Sequence, residues 1–355
     1  MRIDNYLPLL RKKNVAMVVN QTSVIGETHL VDTLLSRGVK IKKIFAPEHG
    51  FRGTADAGEK INSTTDKKTG LPLLSLYGKD KKPSSAQLND VDIVIFDIQD
   101  VGVRFYTYIS TMHYVMEACA ENNKLFIILD RPNPNGDYID GCVLDLKHQS
   151  FVGMHPIPIV HGLTVGELAT MINGEKWLSK GNICKLELVK CLNYNHQTPY
   201  SLPIKPSPNL PNDNSIRLYP SLCLFEGTNI SVGRGTDFPF QVAGHPDYTE
   251  KNFSFTPKSR EGAKNPLYQD KVCYGIDYRK GHDWQYEFSL QPILQFYRGA
   301  TNKTTFFNDF FTKLAGTDQL RQQIEGGKTE DEIRQTWKTD LEKYQDLRKK
   351  YLLYE

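Results

Sequence analysis

Residues 41–53 read Ile41-Lys42-Lys43-Ile44-Phe45-Ala46-Pro47-Glu48-His49-Gly50-Phe51-Arg52-Gly53. The largely apolar run over 41–45 predicts a strand, and the proline and two glycines that follow predict a sharp exit from it. A carboxylate, an imidazole and a guanidinium at such an exit pack poorly and suit chemistry, so this segment is the expected centre of an active site. Three more exits share its character: Asn20-Gln21-Thr22 after 15–19, Asp97-Ile98-Gln99-Asp100 after 91–96, and Asp130-Arg131-Pro132-Asn133 after 125–129. In an open parallel sheet such exits lie along one edge, where ligands bind.

Between those strands and a further one over 73–76, apolar spacing predicts helices over 29–37, 85–88 and 109–122. This is the alternation of a parallel sheet with crossover helices. Thr164 and Glu167 form a capping box that opens another helix, and residues 183–189 alternate like a half-exposed edge strand. The proline-rich stretch 203–211 continues neither element and marks a change of domain. The expected class is therefore α/β: a Rossmann-like parallel-sheet catalytic domain over 1–206, with a smaller α+β C-terminal accessory domain over 207–355 completing the cleft. Within the second part, 212–290 reads as loops and short strands. Helices are expected over 290–298, 304–314, 318–324 and 329–352, the last opened by Thr329 and Glu332.

Composition excludes several classes of function. The 355 residues can bury a large core, and the 39% hydrophobic and 24% charged fractions are those of an ordinary globular protein. No apolar run is long enough to cross a bilayer, and a net charge of +3 with scattered basic residues gives no nucleic-acid footprint. The six cysteines lack C-x-x-C spacing and read as buried thiols, with a bridge between Cys184 and Cys191 as the alternative. No phosphate loop, dinucleotide fingerprint, GxSxG elbow or HExxH helix occurs, and no metal or cofactor is expected.

Glu48 is the leading general acid or base, because a carboxyl beside Phe51 at the mouth of a sheet is open to desolvation. His49 is placed to tune or share its proton; a helix cap or a pair with Arg52 is the structural alternative. Asp97 and Asp100 are a second source of carboxylate, with a salt bridge to Arg104 as their alternative. Gln99, Arg104, Tyr106 and Tyr108 supply the mixed donors, acceptors and aromatic faces that sugars demand, while Phe105 is assigned to the core. Asp130 and Asn133 sit on a proline-stiffened loop that reads equally as a structural turn. Glu226, Thr228, Asn229 and Arg234 lie in a glycine-rich run where Gly233 and Gly235 project Arg234, either as a hook for an anion or as part of a tight turn.

The segments VVNQTSV (18–24), PEHGFRG (47–53), FDIQDVGVRFYTY (96–108), DRPNP (130–134), SPNLP (207–211) and EGTNISVGRGT (226–236), with the terminal LRKKYLLYE (347–355), resemble the DUF1343 family. Its characterised members are NamZ-type exo-β-N-acetylmuramidases. The resemblance implies release of terminal β-linked N-acetylmuramic acid from the non-reducing end of peptidoglycan fragments, with Glu48 as the catalytic glutamate. It adds Asn20, Gln21, Thr22, Arg52 and Asn209 to the expected substrate contacts. The second catalytic group stays open among Asp97, Asp100, His49 and the substrate's own acetamido oxygen. Arg234 or Arg104 is expected to pair with the lactyl carboxylate of muramic acid. The implied partners are peptidoglycan-derived muramyl saccharides, with no nucleic acid and no membrane span, and the oligomeric state is open. Family members are commonly exported, which implies a periplasmic or secreted mature form without its leader, the cytoplasm being the alternative. A non-catalytic cell-wall sugar-binding protein is the competing class, and a nucleotide-binding enzyme using the 233–235 turn is a third.

Overall fold

The computed structural model describes residues 2–48, 50–51, 64–78, 80–280 and 287–354. Its strands are β1 (Asn14–Val19), a ribbon of β2 (Val24–Ile25) and β3 (Thr28–His29), β4 (Lys40–Ala46), β5 (Thr64–Thr65), β6 (Pro72–Ser75), β7 (Ile93–Asp97), β8 (Leu125–Leu129) and β9 (Lys185–Val189). Seven of them form one sheet in the order β5-β6-β4-β1-β7-β8-β9. Every pairing in it is parallel except β5 with β6. A second, antiparallel sheet joins β10 (Val242–His245), β12 (Cys273–Asp277) and β11 (Ser254–Phe255) in that order. The architecture is α/β and Rossmann-like, with a smaller C-terminal part that carries the antiparallel sheet.

The helices are α1 (Ile3–Tyr6), α2 (Leu30–Ser36), α3 (Ser85–Leu88), α4 (Tyr108–Glu121), α5 (Val165–Gly174), α6 (Asp213–Leu222), α7 (Gln291–Arg298), α8 (Phe310–Ala315), α9 (Gln319–Glu325) and α10 (Glu330–Lys349). The period-two side chains of β1 divide between two cores. Ala16 and Val18 join the large cluster that runs on through α4, α5 and the C-terminal helices, while Val15, Met17 and Val19 face a smaller one under α2. On α4, Ile109, Met112, Met116 and Cys119 are fully buried, as their spacing requires. Each large apolar side chain so buried contributes about 1.5–3 kcal/mol. The capping box of α5 forms as read: Glu167 N donates to Thr164 Oγ1 at 3.2 Å and Thr164 N to Glu167 Oε2 at 2.9 Å.

Three expectations need correction. Residues 212–290 are not only loops and short strands, because α6 opens there on an Asn212/Ser215 capping box. Pro220 inside α6 removes the donor that the Ile216 carbonyl would take, and Asn135 Nδ2 donates to that carbonyl instead at 3.3 Å. The helix expected from 304 begins at Phe310, since Asn302 and Asn308 accept from the backbone two residues on and hold the approach as turns. All six cysteines are free, so there is no Cys184–Cys191 bridge.

At the switch point between β1 and β7, where such a sheet commonly opens a crevice, the polar exits bond to one another. Asn20 Oδ1 accepts from Thr22 N and Thr22 Oγ1 at 2.9 and 2.6 Å, Gln99 N donates to Thr22 Oγ1 at 3.0 Å, and the Ser23 hydroxyl donates to the Asp97 carbonyl. Asp97 takes Arg131, not Arg104, as its partner, with Nε–Oδ1 and Nη2–Oδ2 at 2.7 and 3.1 Å. Asp100 accepts from Gly102 N at 3.2 Å through one oxygen, and burial drives its pKa up from 3.8 to about 7.

Arg104 is fully buried and carries no carboxylate partner among the described residues. Its Nη1 donates to the Cys142 and Ile157 carbonyls at 2.6 and 2.9 Å, and its Nη2 to those of Leu314 and Ala315 at 2.9 and 2.6 Å. It therefore ties the loop at 142–157 to the end of α8 and is not presented to a substrate.

Arg104→Met takes a charged donor from four buried carbonyls, of which Ile157 and Ala315 keep Leu144 N and Cys142 Sγ, and should lower unfolding stability by about 3 kcal/mol in urea titrations. For Asp100 the native state binds the extra proton, so its contribution is present below the ordinary pKa of 3.8 and lost as pH rises through about 7. Asp100→Asn should flatten the part of the Tm-versus-pH curve in that window that slopes downward with rising pH.

Candidate active site

Parallel pairing sets the site out in register. Ala46 of β4 pairs with Ser75 of β6, and Leu76 N donates to the Ala46 carbonyl at 2.8 Å, so Glu48 and Tyr77 stand two residues beyond the same rung. Beneath them α4 begins. Its N-cap residue Thr107 makes no capping bond, and the hydroxyl instead donates to Glu48 Oε2 at 2.6 Å.

Glu48 is half-buried and opens on a cavity of about 610 Å³. The deep wall is aromatic: Tyr106 meets Tyr108 edge-on with centroids 4.9 Å apart and Tyr219 at 5.8 Å, and Tyr219 meets Phe240 at 4.9 Å. Burial raises the pKa of Tyr108, with the charge of Glu48 adding to it, so the phenol stays protonated and donates to the Pro206 carbonyl at 3.1 Å. Tyr106 is also raised by burial, with the phenols of Tyr108 and Tyr219 beside it.

The C-terminal part supplies the remaining wall and a second carboxylate. Gly233 and Gly235 have φ of +75° and +83°, which places Arg234 between two left-handed residues and turns it into the cavity. Its Nε donates to Glu226 Oε1 at 2.7 Å, and the guanidinium lies 5.0 Å from the Phe240 ring centroid. Cys223 Sγ approaches the other Glu226 oxygen at 3.5 Å. No other hydrogen bond of the Arg234 guanidinium is present among the described residues. Its outer face is open to an anion, and a planar carboxylate fits that fork.

Of the residues singled out in the sequence, Glu48, Tyr106, Tyr108, Glu226 and Arg234 come together around this cavity. His49 and Arg52 lie outside the described residues. Asn20, Thr22, Asp97, Gln99 and Asp100 are buried in the switch-point network and do not line the cavity. Gln21 donates to the Lys205 and Pro206 carbonyls at 3.3 and 3.0 Å, pinning the proline-rich strap that passes the cavity. Asp130 accepts from Thr164 Oγ1, Gly166 N and Tyr354 OH at 2.7, 2.8 and 2.6 Å, so it fastens the start of α5 to the C-terminal segment; burial raises its pKa to about 6. Asn133 donates to the Leu163 carbonyl, Asn209 to that of Gly262 and Thr228 to that of Phe225. Asn229 lines a separate cavity of about 260 Å³. None of these four reaches the lining of the Glu48 cavity.

Sequence reading missed Tyr77, Lys81, Phe151 and Tyr219, which do line it. Tyr77 follows a strand that was recognised, and the rule applied to the other four exits would have found it. Tyr219 rides on α6, whose capping box was not read.

Family models for the exo-beta-N-acetylmuramidase NamZ match the chain twice, the N-terminal one over residues 15–214 and the C-terminal one over 217–354. A peptidoglycan beta-N-acetylmuramidase NamZ from Bacillus subtilis (strain 168) is 38% identical over 379 residues, covering 99% of this chain and 89% of that protein. Two crystal structures of DUF1343 family proteins from Bacteroides fragilis NCTC 9343 are similar throughout. One has a TM-score of 0.93 at 50% identity, covering 100% of this chain and 97% of the other. The second has a TM-score of 0.86 at 29% identity, covering 99% and 97%. With both halves matched and a fold shared along its whole length, the chain belongs to the NamZ exo-β-N-acetylmuramidase family.

Proposed function

We propose that the protein is an exo-acting glycosidase that removes terminal β-linked N-acetylmuramic acid from the non-reducing end of peptidoglycan fragments, with Glu48 as general acid. The observation that carries this is the shared cavity: a half-buried carboxyl that accepts from the Thr107 hydroxyl, facing an aromatic wall and a guanidinium. A single sugar with its lactyl group fits a pocket of about 610 Å³ that is walled by buried rings at its inner end, which favours action on chain ends.

In this reading Glu48 gives its proton to the glycosidic oxygen as the C1–O bond breaks, and Thr107 fixes the carboxyl in place for the transfer. Positive charge then builds on the sugar ring, and Glu226, the other carboxylate lining the cavity, offsets it while Asp97 is bound by Arg131 and Asp100 lies outside. Water adds to C1 and gives its proton back to Glu48, which completes the hydrolysis. Arg234 keeps Glu226 oriented through Nε and meets the lactyl carboxylate with its outer nitrogens.

Glu48→Gln should lower kcat by about 10²–10⁴-fold on a chromogenic β-N-acetylmuramide while still binding muramyl fragments in calorimetry. Full turnover by the variant would remove Glu48 from the acid's role; no turnover by either protein would return it to the sugar-binding class. Arg234→Ala should cost roughly 1.5–3 kcal/mol in kcat/KM on muramyl substrates and little on glucosaminyl ones. Equal losses on both would assign Arg234 to Glu226 alone.

A further inference from the structure

We infer that the rim formed by Tyr77, Lys81 and Phe151 is the binding site for the sugar on the leaving side of the scissile bond, with Lys81 reading a carboxylate further along that chain. The inference rests on Glu48 being the acid. An acid that protonates the leaving oxygen stands between the sugar being released and the chain it leaves, so the two saccharide sites lie on opposite sides of Glu48.

Burial gives the cavity a direction. At one end the aromatic wall of Tyr219 and Phe240 is 7% and 1% exposed, so it closes the cavity there. At the other, Tyr77, Lys81 and Phe151 are half-buried. Strand register puts Tyr77 on the strand next to that of Glu48, at the same height, so a sugar at this rim lies beside the carboxyl.

The rim is built rather than incidental. Phe151 is carried on a tight bridge in which Ser150 N donates to the Gly153 carbonyl at 2.9 Å and Gly153 N to that of Ser150 at 3.1 Å. Its ring stacks with Tyr114 at 17° and a 6.3 Å centroid separation, and tilts toward Tyr77 at 6.1 Å. Lys81 Nζ sits 4.4 Å from the Phe151 centroid. Among the described residues Lys81 has no acidic partner, whereas its neighbour Lys82 bonds both Glu117 and Glu121. An aromatic platform bordered by an uncommitted cation suits the C–H face of a pyranose that carries an acid one unit away.

The test uses the Glu48→Gln protein and calorimetric titration with N-acetylmuramic acid and with the β-linked muramyl-glucosaminyl disaccharide. Adding Phe151→Ala should weaken disaccharide binding about tenfold and leave the monosaccharide unchanged. Lys81→Gln should weaken a trisaccharide that ends in a second muramic residue, and leave the disaccharide as it was. Thermal melting confirms that each variant is folded, and Phe151 can also be changed to Leu, which keeps the bulk and loses the platform. Equal weakening of both ligands, or of neither, by Phe151→Ala overturns the rim site while the reading of Glu48 stands. Failure of both saccharides to bind the Glu48→Gln parent overturns that reading and the rim site with it.

Discussion

A positive charge placed in the interior without a carboxylate sets the terms for the whole molecule. The Arg104 guanidinium is held by four carbonyl dipoles, two from the loop at 142–157 and two from the end of α8. Full burial of such a group is costly unless its donors are met, and here both terminal nitrogens are met by chain segments from both halves, while Nε has no partner among the described residues. The backbone of the same residue bonds to Ile159, so the strand exit that follows, through Phe105, Tyr106, Thr107 and Tyr108, leaves from a fixed point. Two of those side chains form the aromatic wall, and a third holds the acid.

The layout of the cavity follows from how two carboxylates are treated differently. Glu48 is approached by a neutral hydroxyl, and Glu226 by a guanidinium. A hydroxyl offers a carboxylate a single neutral donor, whereas a guanidinium brings a formal charge and a planar fork of donors.

Much of this was legible in the chain. Continuous apolar strands, alternating 183–189 and the capping boxes at Thr164 and Thr329 gave the sheet and most helices, and the exit after Ala46 gave the place of Glu48 at the cavity. Sequence could not separate polar residues that face a ligand from those that satisfy each other. Asn20, Thr22, Gln99 and Asn133 have the same composition as a sugar site, yet they are buried and bond to neighbouring chain away from the cavity. Arg104 was misread for a related reason, since a guanidinium among carbonyls from residues 142 to 315 is invisible to local spacing. Helix α6 was hidden by Pro220, whose cost is met by Asn135, more than eighty residues upstream.

The strap beside the cavity has no regular secondary structure, yet the Pro206 oxygen receives both the Gln21 amide and the Tyr108 phenol, at 3.0 and 3.1 Å. Proline's closed ring removes most of the torsional freedom that remains. The cavity wall is thus set before any saccharide arrives, and little ordering entropy is left to lose on association. Such a receptor discriminates by refusing to adapt: a sugar with one extra bulky substituent on the side facing the strap meets a wall that does not yield.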